Sequence, residues 1–387
     1  MIIHMNVGGT ERALLNMIAE MPDEKYDITI LMLEKYGGFL ESIPKRVKKK
    51  YLDGYSEMKA ILNQPPQKVV KDYFKKGLII KGLSLLLILS FSKGLKNRSI
   101  LFKYLLKSFP KSENEYDIAI AYAGPMDFIS YFVIHKLNSK RKVQWIHFDV
   151  TKIGFNKKFT SRIYQKFDQI YVVSLEGKQK LQKYLPKLSG KIDTFLNVMS
   201  PKKLLCMSDR GPGFTDQFDG LRILTVGRLS KEKGQDLIIS AMAQLKKSGL
   251  NIRWYCIGDG SAKNEYKELI RCYGVEKDFI LLGSKANPYP FMKQCDIYVQ
   301  PSRHEGFCIT LAEAKCFSKP ILCTNFTGAS EQIVDGETGM IVDFNVDVMV
   351  EALKKIINNV QLRNKFASNL NSITKDSKLL SKMEYKI

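Results

Sequence analysis

Cysteine is absent from the first half of this 387-residue chain: Cys206, Cys256, Cys272, Cys295, Cys308, Cys316 and Cys323 all follow position 200, with no Cys-x-x-Cys spacing among them. That pattern excludes a disulfide-stapled secreted scaffold and a zinc ribbon, and the cysteines read as small buried apolar residues in a reducing cytoplasm. The start, Met1-Ile2-Ile3-His4, has no charged stretch ahead of an apolar core, so no secretory signal is expected. The uncharged run from Gly82 to Ser92 falls well below the ~20 apolar residues that a membrane-crossing helix needs. Acidic residues are scarce too, 39 against 61 Lys and Arg, leaving a formal net charge of +22. The imbalance is local: 34 basic residues face 18 acidic ones within positions 1–200, and 17 face four between Glu41 and Lys111. Such asymmetry points to an anionic surface as partner. Nucleic acid is not expected, because no recognition motif is present and the basic residues interleave with leucines more than with aromatics.

What is present is a globular composition, 45% hydrophobic, with length enough for two cores. The most informative stretch is Ser302-Arg303-His304-Glu305-Gly306-Phe307-Cys308-Ile309-Thr310-Leu311-Ala312-Glu313-Ala314. Before it, Asp296-Ile297-Tyr298-Val299-Gln300-Pro301 reads as a buried parallel strand stopped by proline. A strand, a loop and a helix start in this order suit an anionic ligand, since open α/β sheets bind ligands beyond the carboxyl ends of their strands. Glu305 and Glu313 stand eight positions apart. If most of that interval is helical, the two carboxylates lie about 10–12 Å apart along the axis, too far for a glycosidase pair. Two carboxylates so placed suit hydroxyls at two places on one elongated ligand.

Further pieces occur in order: Gly8-Gly9-Thr10-Glu11-Arg12, Trp145-Ile146-His147, Val226-Gly227-Arg228-Leu229 with Glu232-Lys233-Gly234, Gly258-Asp259-Gly260, and Gly328 to Glu331 before Asp335-Gly336. Together with the Glu305-Gly306-Phe307 loop and Glu313 they resemble retaining glycosyltransferase family 4, densely from about Leu221 to Val342 and sparsely before. The resemblance implies an α/β fold of the GT-B type, two Rossmann-like domains facing across a cleft, with a terminal helix returning to the first domain.

The domains are expected at 1–205, with a basic apolar insertion at about 41–111, and at 221–370, joined by a Gly- and Pro-bearing linker at 206–220 and followed by a terminal helix at 371–387. Met1-Ile2-Ile3 reads as only the last part of a first strand, shorter than in the family, which is expected to leave its neighbours partly unpaired. Thr10 is expected to cap the helix that follows, with Leu14, Met17, Ile18 and Met21 at helical spacing. Asp27–Leu33 reads as a strand, after which the strand-helix rhythm is lost until Tyr116–Tyr122. Within the gap, lysines flank Leu83–Phe91, which suits a helix lying in a lipid headgroup region or a buried helical hairpin with a solvated basic face. Strands are also expected at Gln144–Ile146, Asp168–Ser174, Leu221–Val226, Ile252–Ile257, Phe279–Leu282, Lys319–Cys323 and Met340–Val342.

By resemblance, the donor site is Gly8, Gly9, Arg228, Lys233, Ser284, Glu305, Gly306, Phe307, Thr310, Leu311 and Glu313, and the catalytic set is His147, Glu305, Arg228 and Lys233. Arg228 and Lys233 are expected to neutralise the leaving diphosphate, Glu313 to hold ribose hydroxyls, Glu305 those of the transferred sugar, and the backbone near Ser284 to meet the base. His147 is expected at the donor sugar or reaction centre. No cofactor and no metal are expected, since no Asp-x-Asp-like site accompanies these positive groups. The donor is expected to be a UDP- or GDP-sugar and the acceptor a lipid-linked glycan of capsular, exo- or lipopolysaccharide synthesis, handled on the inner face of the plasma membrane. An inactive glycan- or lipid-binding scaffold and a nucleotide-sugar epimerase of the same fold stay open as alternatives.

Overall fold

A computed structural model describes residues 1–124, 126–154 and 156–375. The chain divides into two compact units, Met1–Asn6 with Met21–Leu196, and Val7–Glu20 with residues from Asn197 on. This differs from a boundary at 205: α1 (Gly9–Glu20) and α9 (Pro201–Ser208) group with the second unit, because Ala13 and Leu204 pack among Leu224, Val226 and Ile309. Helix α1 begins at Gly9, so Thr10 lies inside it rather than capping it.

In the first unit β1 (Thr29–Met32) pairs in parallel with β2 (Lys48–Tyr51), and β3 (Glu115–Gly124), β4 (Asn138–Ile146), β5 (Gln169–Val172) and β6 (Ile192–Thr194) form a second parallel sheet in that order. The short start does not leave its neighbours bare. Ile2 N–H donates to Leu31 O at 3.0 Å, and Tyr122 N–H donates to Met1 O at 3.0 Å, so these two residues run between β1 and β3. Strand β2 was hidden in the sequence as a lysine run; it is exposed, and charge suits an edge that must not pair further. Helices α2 (Tyr55–Asn63), α3 (Pro66–Lys75), α4 (Ile79–Gly94) and α5 (Arg98–Leu105) follow, then α6 (Asp127–Lys136), α7 (Lys157–Tyr164) and α8 (Leu175–Tyr184).

The second unit holds one parallel sheet of six strands, β7 (Leu221–Val226), β8 (Ile252–Ile257), β9 (Phe279–Gly283), β10 (Ile297–Gln300), β11 (Ile321–Thr324) and β12 (Met340–Val342), in the spatial order β12-β11-β10-β7-β8-β9. Central β10 and β11 are buried at every residue, as continuous apolar runs covered on both faces require, while the edge strands β9 and β12 are only partly buried. Alternate residues serve the two faces. Ile223, Trp254, Ile297 and Val299 meet α10 (Gln235–Lys247), α11 (Lys263–Cys272) and α14 (Val346–Asn358), whereas Leu224, Tyr255, Tyr298 and Cys323 meet α1, α9, α12 (Tyr289–Gln294) and α13 (Ile309–Lys315). Each such side chain fully removed from water contributes about 1.5–3 kcal/mol. Helix α15 (Val360–Lys375) packs here through Phe366 and Leu370, and the rest of the expected terminal helix, 376–387, lies outside the described residues. Four cysteines are buried as expected, but Cys206 and Cys272 are exposed on helix surfaces. Among the described residues no helix is long and apolar enough to cross a membrane.

Candidate active site

The strand order fixes where ligands gather. From β7 the chain builds outward to β9, then returns to β10 on the other side and builds outward to β12, so the order reverses between β7 and β10. Ligands of open α/β sheets bind outside the carboxyl ends of the two strands at such a switch. Gly227 and Arg228 follow β7, and Pro301 through Glu305 follow β10. A tight turn carries the first loop onward. Gly234 has a φ of +70°, and a Cβ there would lie 1.9 Å from Pro301 O, so only glycine lets the two loops touch at this point. Arg303 fixes the second loop from outside, donating to Asp236 at 2.8 Å with its guanidinium 4.1 Å from the Phe344 ring centre.

This junction pairs two of the sequence-identified residues. Lys233 Nζ donates to both Glu305 oxygens, at 2.7 and 2.8 Å. Behind them Ser302 Oγ donates to Glu305 Oε1 at 2.7 Å, Gln300 Nε2 donates to Ser302 Oγ at 2.9 Å, and Gln300 Oε1 accepts from Tyr298 and Thr310 at 2.8 and 3.1 Å. Burial pushes the Lys233 ammonium pKa down, but Glu305, Cys308 and Glu232 together outweigh it and the net direction is up, so the lysine stays charged. Lys233 has three donor protons and Glu305 takes two, which leaves one for a ligand. Arg228 is the open member: its side chain is 57% exposed and comes no closer than 3.9 Å to Glu232.

Glu313, on α13 after the Glu305 loop, is buried, 1% exposed. Tyr289 OH donates to its Oε1 at 2.7 Å, and Arg12 Nε lies 3.5 Å from that oxygen while Arg12 Nη1 donates to Tyr289 OH at 2.7 Å. Burial pushes the Glu313 pKa up, with Arg12 and the Tyr289 hydrogen bond holding part of the rise back. Arg12 and Tyr289 carry no site role in the sequence reading; Arg12 stood in a quoted motif, but its 301-residue separation from Glu313 leaves no local signal. Only Ile309 to Glu313 of the Glu305–Glu313 interval is helical, so a separation estimated from helical rise applies to only part of it.

The remaining residues fall as follows. Gly8 lies close to Arg228: a Cβ there would sit 2.6 Å from Glu11 Oε2 and 3.8 Å from Arg228 Nη2, while Gly9 faces Ile309. Ser284 is exposed just after β9. Gly306 is buried, Phe307 half-buried with its carbonyl accepting from Gln332 Nε2, and Thr310 is turned to Gln300. The Leu311 side chain is wholly buried in the core. Cys308 adopts a left-handed backbone, φ +60°, uncommon outside glycine and frequent where a loop is held for function.

His147 belongs to the first unit, directly after β4, with its ring 4.6 Å from that of Tyr122. Burial lowers its pKa to about 3, against a hydrogen bond with the Tyr122 backbone that raises it, so the imidazole is neutral. Its buried Nε2 has no hydrogen-bond partner among the described residues. Among those residues no three His, Cys, Asp or Glu side chains come together as a metal-binding group.

Residues 217–372 match the family described as glycosyl transferases group 1. A Campylobacter jejuni N-acetylgalactosamine-N,N'-diacetylbacillosaminyl-diphospho-undecaprenol 4-alpha-N-acetylgalactosaminyltransferase is 30% identical over 54% of this chain and 56% of its own length. The Staphylococcus aureus capsular polysaccharide biosynthesis glycosyltransferase CapM is 29% identical over 39% and 40%. The chain thus spans about half the length of the curated relatives it matches. In structure, Anabaena HepE in complex with UDP-glucose superposes with a TM-score of 0.64 over 97% of this chain and 94% of its own, at 16% identity. Residues 217–372 are thus similar to the glycosyl transferases group 1 family, and the chain carries the GT-B fold that its motifs led us to expect.

Proposed function

We propose that this chain is a retaining glycosyltransferase that moves a sugar from a UDP-sugar to a hydroxyl of a lipid-linked glycan in capsular, exo- or lipopolysaccharide synthesis. The observation that carries the reading is the Lys233–Glu305 pair beside Arg228 at the β7/β10 switch. A leaving diphosphate gains negative charge as the glycosidic bond breaks, and fixed cations aimed at it lower that barrier without a metal. Arg228 and the third Lys233 proton supply them, while Glu305 meets hydroxyls of the departing sugar and Glu313 those of the ribose. His147 contacts the donor sugar as a neutral donor or acceptor. The acceptor proton passes to the leaving phosphate. Uridine as the base is supported by the HepE complex with UDP-glucose, and a lipid-linked acceptor by the relative whose acceptor is a diphospho-undecaprenol glycan. The chain works on the inner face of the plasma membrane.

The test is thermal unfolding with UDP, GDP and ADP, followed by release of nucleoside diphosphate from the matching sugar donors, because a ligand bound only by the folded state raises its stability. Stabilisation by UDP together with UDP release is expected. Preference for GDP would correct the base alone, and stabilisation without any turnover on lipid-linked acceptors would favour a binding scaffold.

A further inference from the structure

Helix α4 is apolar on two opposite sides, and the protein uses only one of them. At 100° per residue, Gly82, Leu85, Leu89 and Ser92 form the inner side, where Leu85 is wholly buried against Val69, Val70 and Leu101. The opposite side carries Ile80, Leu83, Leu87 and Phe91, which are 81%, 51%, 61% and 60% exposed. A soluble surface scatters exposed apolar residues singly; four in one row mark a docking face. Helix α4 packs closely on α3, because Gly82 lets it lie so near Phe74 that a Cβ would come within 2.6 Å of the ring.

Charge identifies the occupant. Lys75 and Lys76 precede α4, Lys81 and Lys93 lie in its first and last turns, and Lys96 follows it, all exposed and none in an ion pair among the described residues, and Asp72 is the single acidic residue between Lys68 and Lys107. A second copy seated face to face would bring ten of these lysines together, so like charge opposes self-association here. We infer that α4 lies flat in the headgroup layer of an anionic lipid bilayer, with Ile80, Leu83, Leu87 and Phe91 inserted among the acyl chains and the lysines on lipid phosphates. Sixteen residues give a helix about 24 Å long, fit to lie along the surface rather than across it. The electrostatic part is screened by salt and the apolar part is not. This inference takes up the membrane placement proposed above but does not depend on the catalytic reading.

The test uses vesicles of neutral phosphatidylcholine, with or without phosphatidylglycerol, and the full chain. Wild type is expected to co-sediment with the anionic vesicles, to lose part of that binding at high salt and to keep a remainder. The triple variant Leu83→Ser, Leu87→Ser, Phe91→Ser changes only exposed side chains, and is expected to lose at least tenfold in partition at every salt concentration while hydrolysing a UDP-sugar at the wild-type rate. Both tryptophans, Trp145 and Trp254, are buried. Phe91→Trp therefore reports on the row directly, and its emission is expected to shift to the blue only with anionic vesicles. Wild-type partition in the triple variant, an unshifted Phe91→Trp spectrum, or a concentration-dependent dimer that the triple variant abolishes would each overturn the inference. Vesicle binding without donor turnover would uphold it and reject the catalytic reading instead.

Discussion

Lys233 and Glu305, 72 positions apart, form a two-pronged ion pair across the junction of β7 and β10, at 2.7 and 2.8 Å. The pairing joins a residue proposed to hold diphosphate to one proposed to hold sugar, so neither is altered without changing the other.

Lys233→Ala therefore does more than remove a phosphate contact. It strands the Glu305 carboxylate, 8% exposed, with Ser302 as its remaining partner, and an unmatched buried acceptor costs about 1–3 kcal/mol or more when charged. A lower melting temperature and weaker UDP binding are expected together. Lys233→Met with Glu305→Gln should recover the stability and not the activity, which unfolding and transfer assays on the double variant check.

Arg228→Ala behaves differently. Its exposed guanidinium holds nothing tightly, so the melting temperature should stay at the wild-type value, while UDP affinity falls by about 1.5–3 kcal/mol through loss of a charge-assisted contact. Calorimetric titration reads the affinity; an unchanged value removes Arg228 from the site.

Glu313 gives a pH signature. Its folded-state pKa is raised, so the native state holds its proton above the ordinary carboxylate range, and stability contributed by the protonated form is lost as pH rises through that value. Hydroxyls of a ribose are better accepted by the ionised form. Affinity for a UDP-sugar, whose phosphates do not titrate in this range, should fall as pH is lowered toward the Glu313 pKa, and Glu313→Gln should flatten the profile. Tyr289→Phe removes a hydrogen bond to the carboxylate and should move the midpoint upward.

His147 acts in the opposite sense. Its pKa drops from 6.5 to about 3 on folding, so the neutral ring's contribution is full above 6.5 and is lost as pH falls below that value, by up to about 1.4 kcal/mol per unit. His147→Gln should reduce this acid-side loss, measured as the difference between the two unfolding curves from pH 6.5 downward.

Much of the second unit was legible in the sequence. Leu221–Val226, Ile252–Ile257 and Met340–Val342 read as strands over the same residues that form them, because each is a short, largely apolar run with a glycine at one or both ends. The Glu305 loop was legible for the same reason. What was not legible depended on which strands become neighbours. The Lys233–Glu305 pair exists because β10 lies beside β7, and the hold of Arg12 and Tyr289 on Glu313 exists because α1 packs against the second unit. Helix α4 shows the same limit: its leucines announced a helix, yet its apolar composition suits a buried hairpin equally well, and only packing shows which side stays open.

The most direct test of the proposed chemistry is UDP release from a UDP-sugar, followed in wild type, Glu305→Gln and Arg228→Ala in the presence of lipid-linked glycan acceptors. Wild-type turnover, with loss of at least a hundredfold in Glu305→Gln while free UDP still binds, is the expected result. No nucleoside diphosphate release by the folded wild-type chain from any UDP- or GDP-sugar, or wild-type release in both variants, would contradict it.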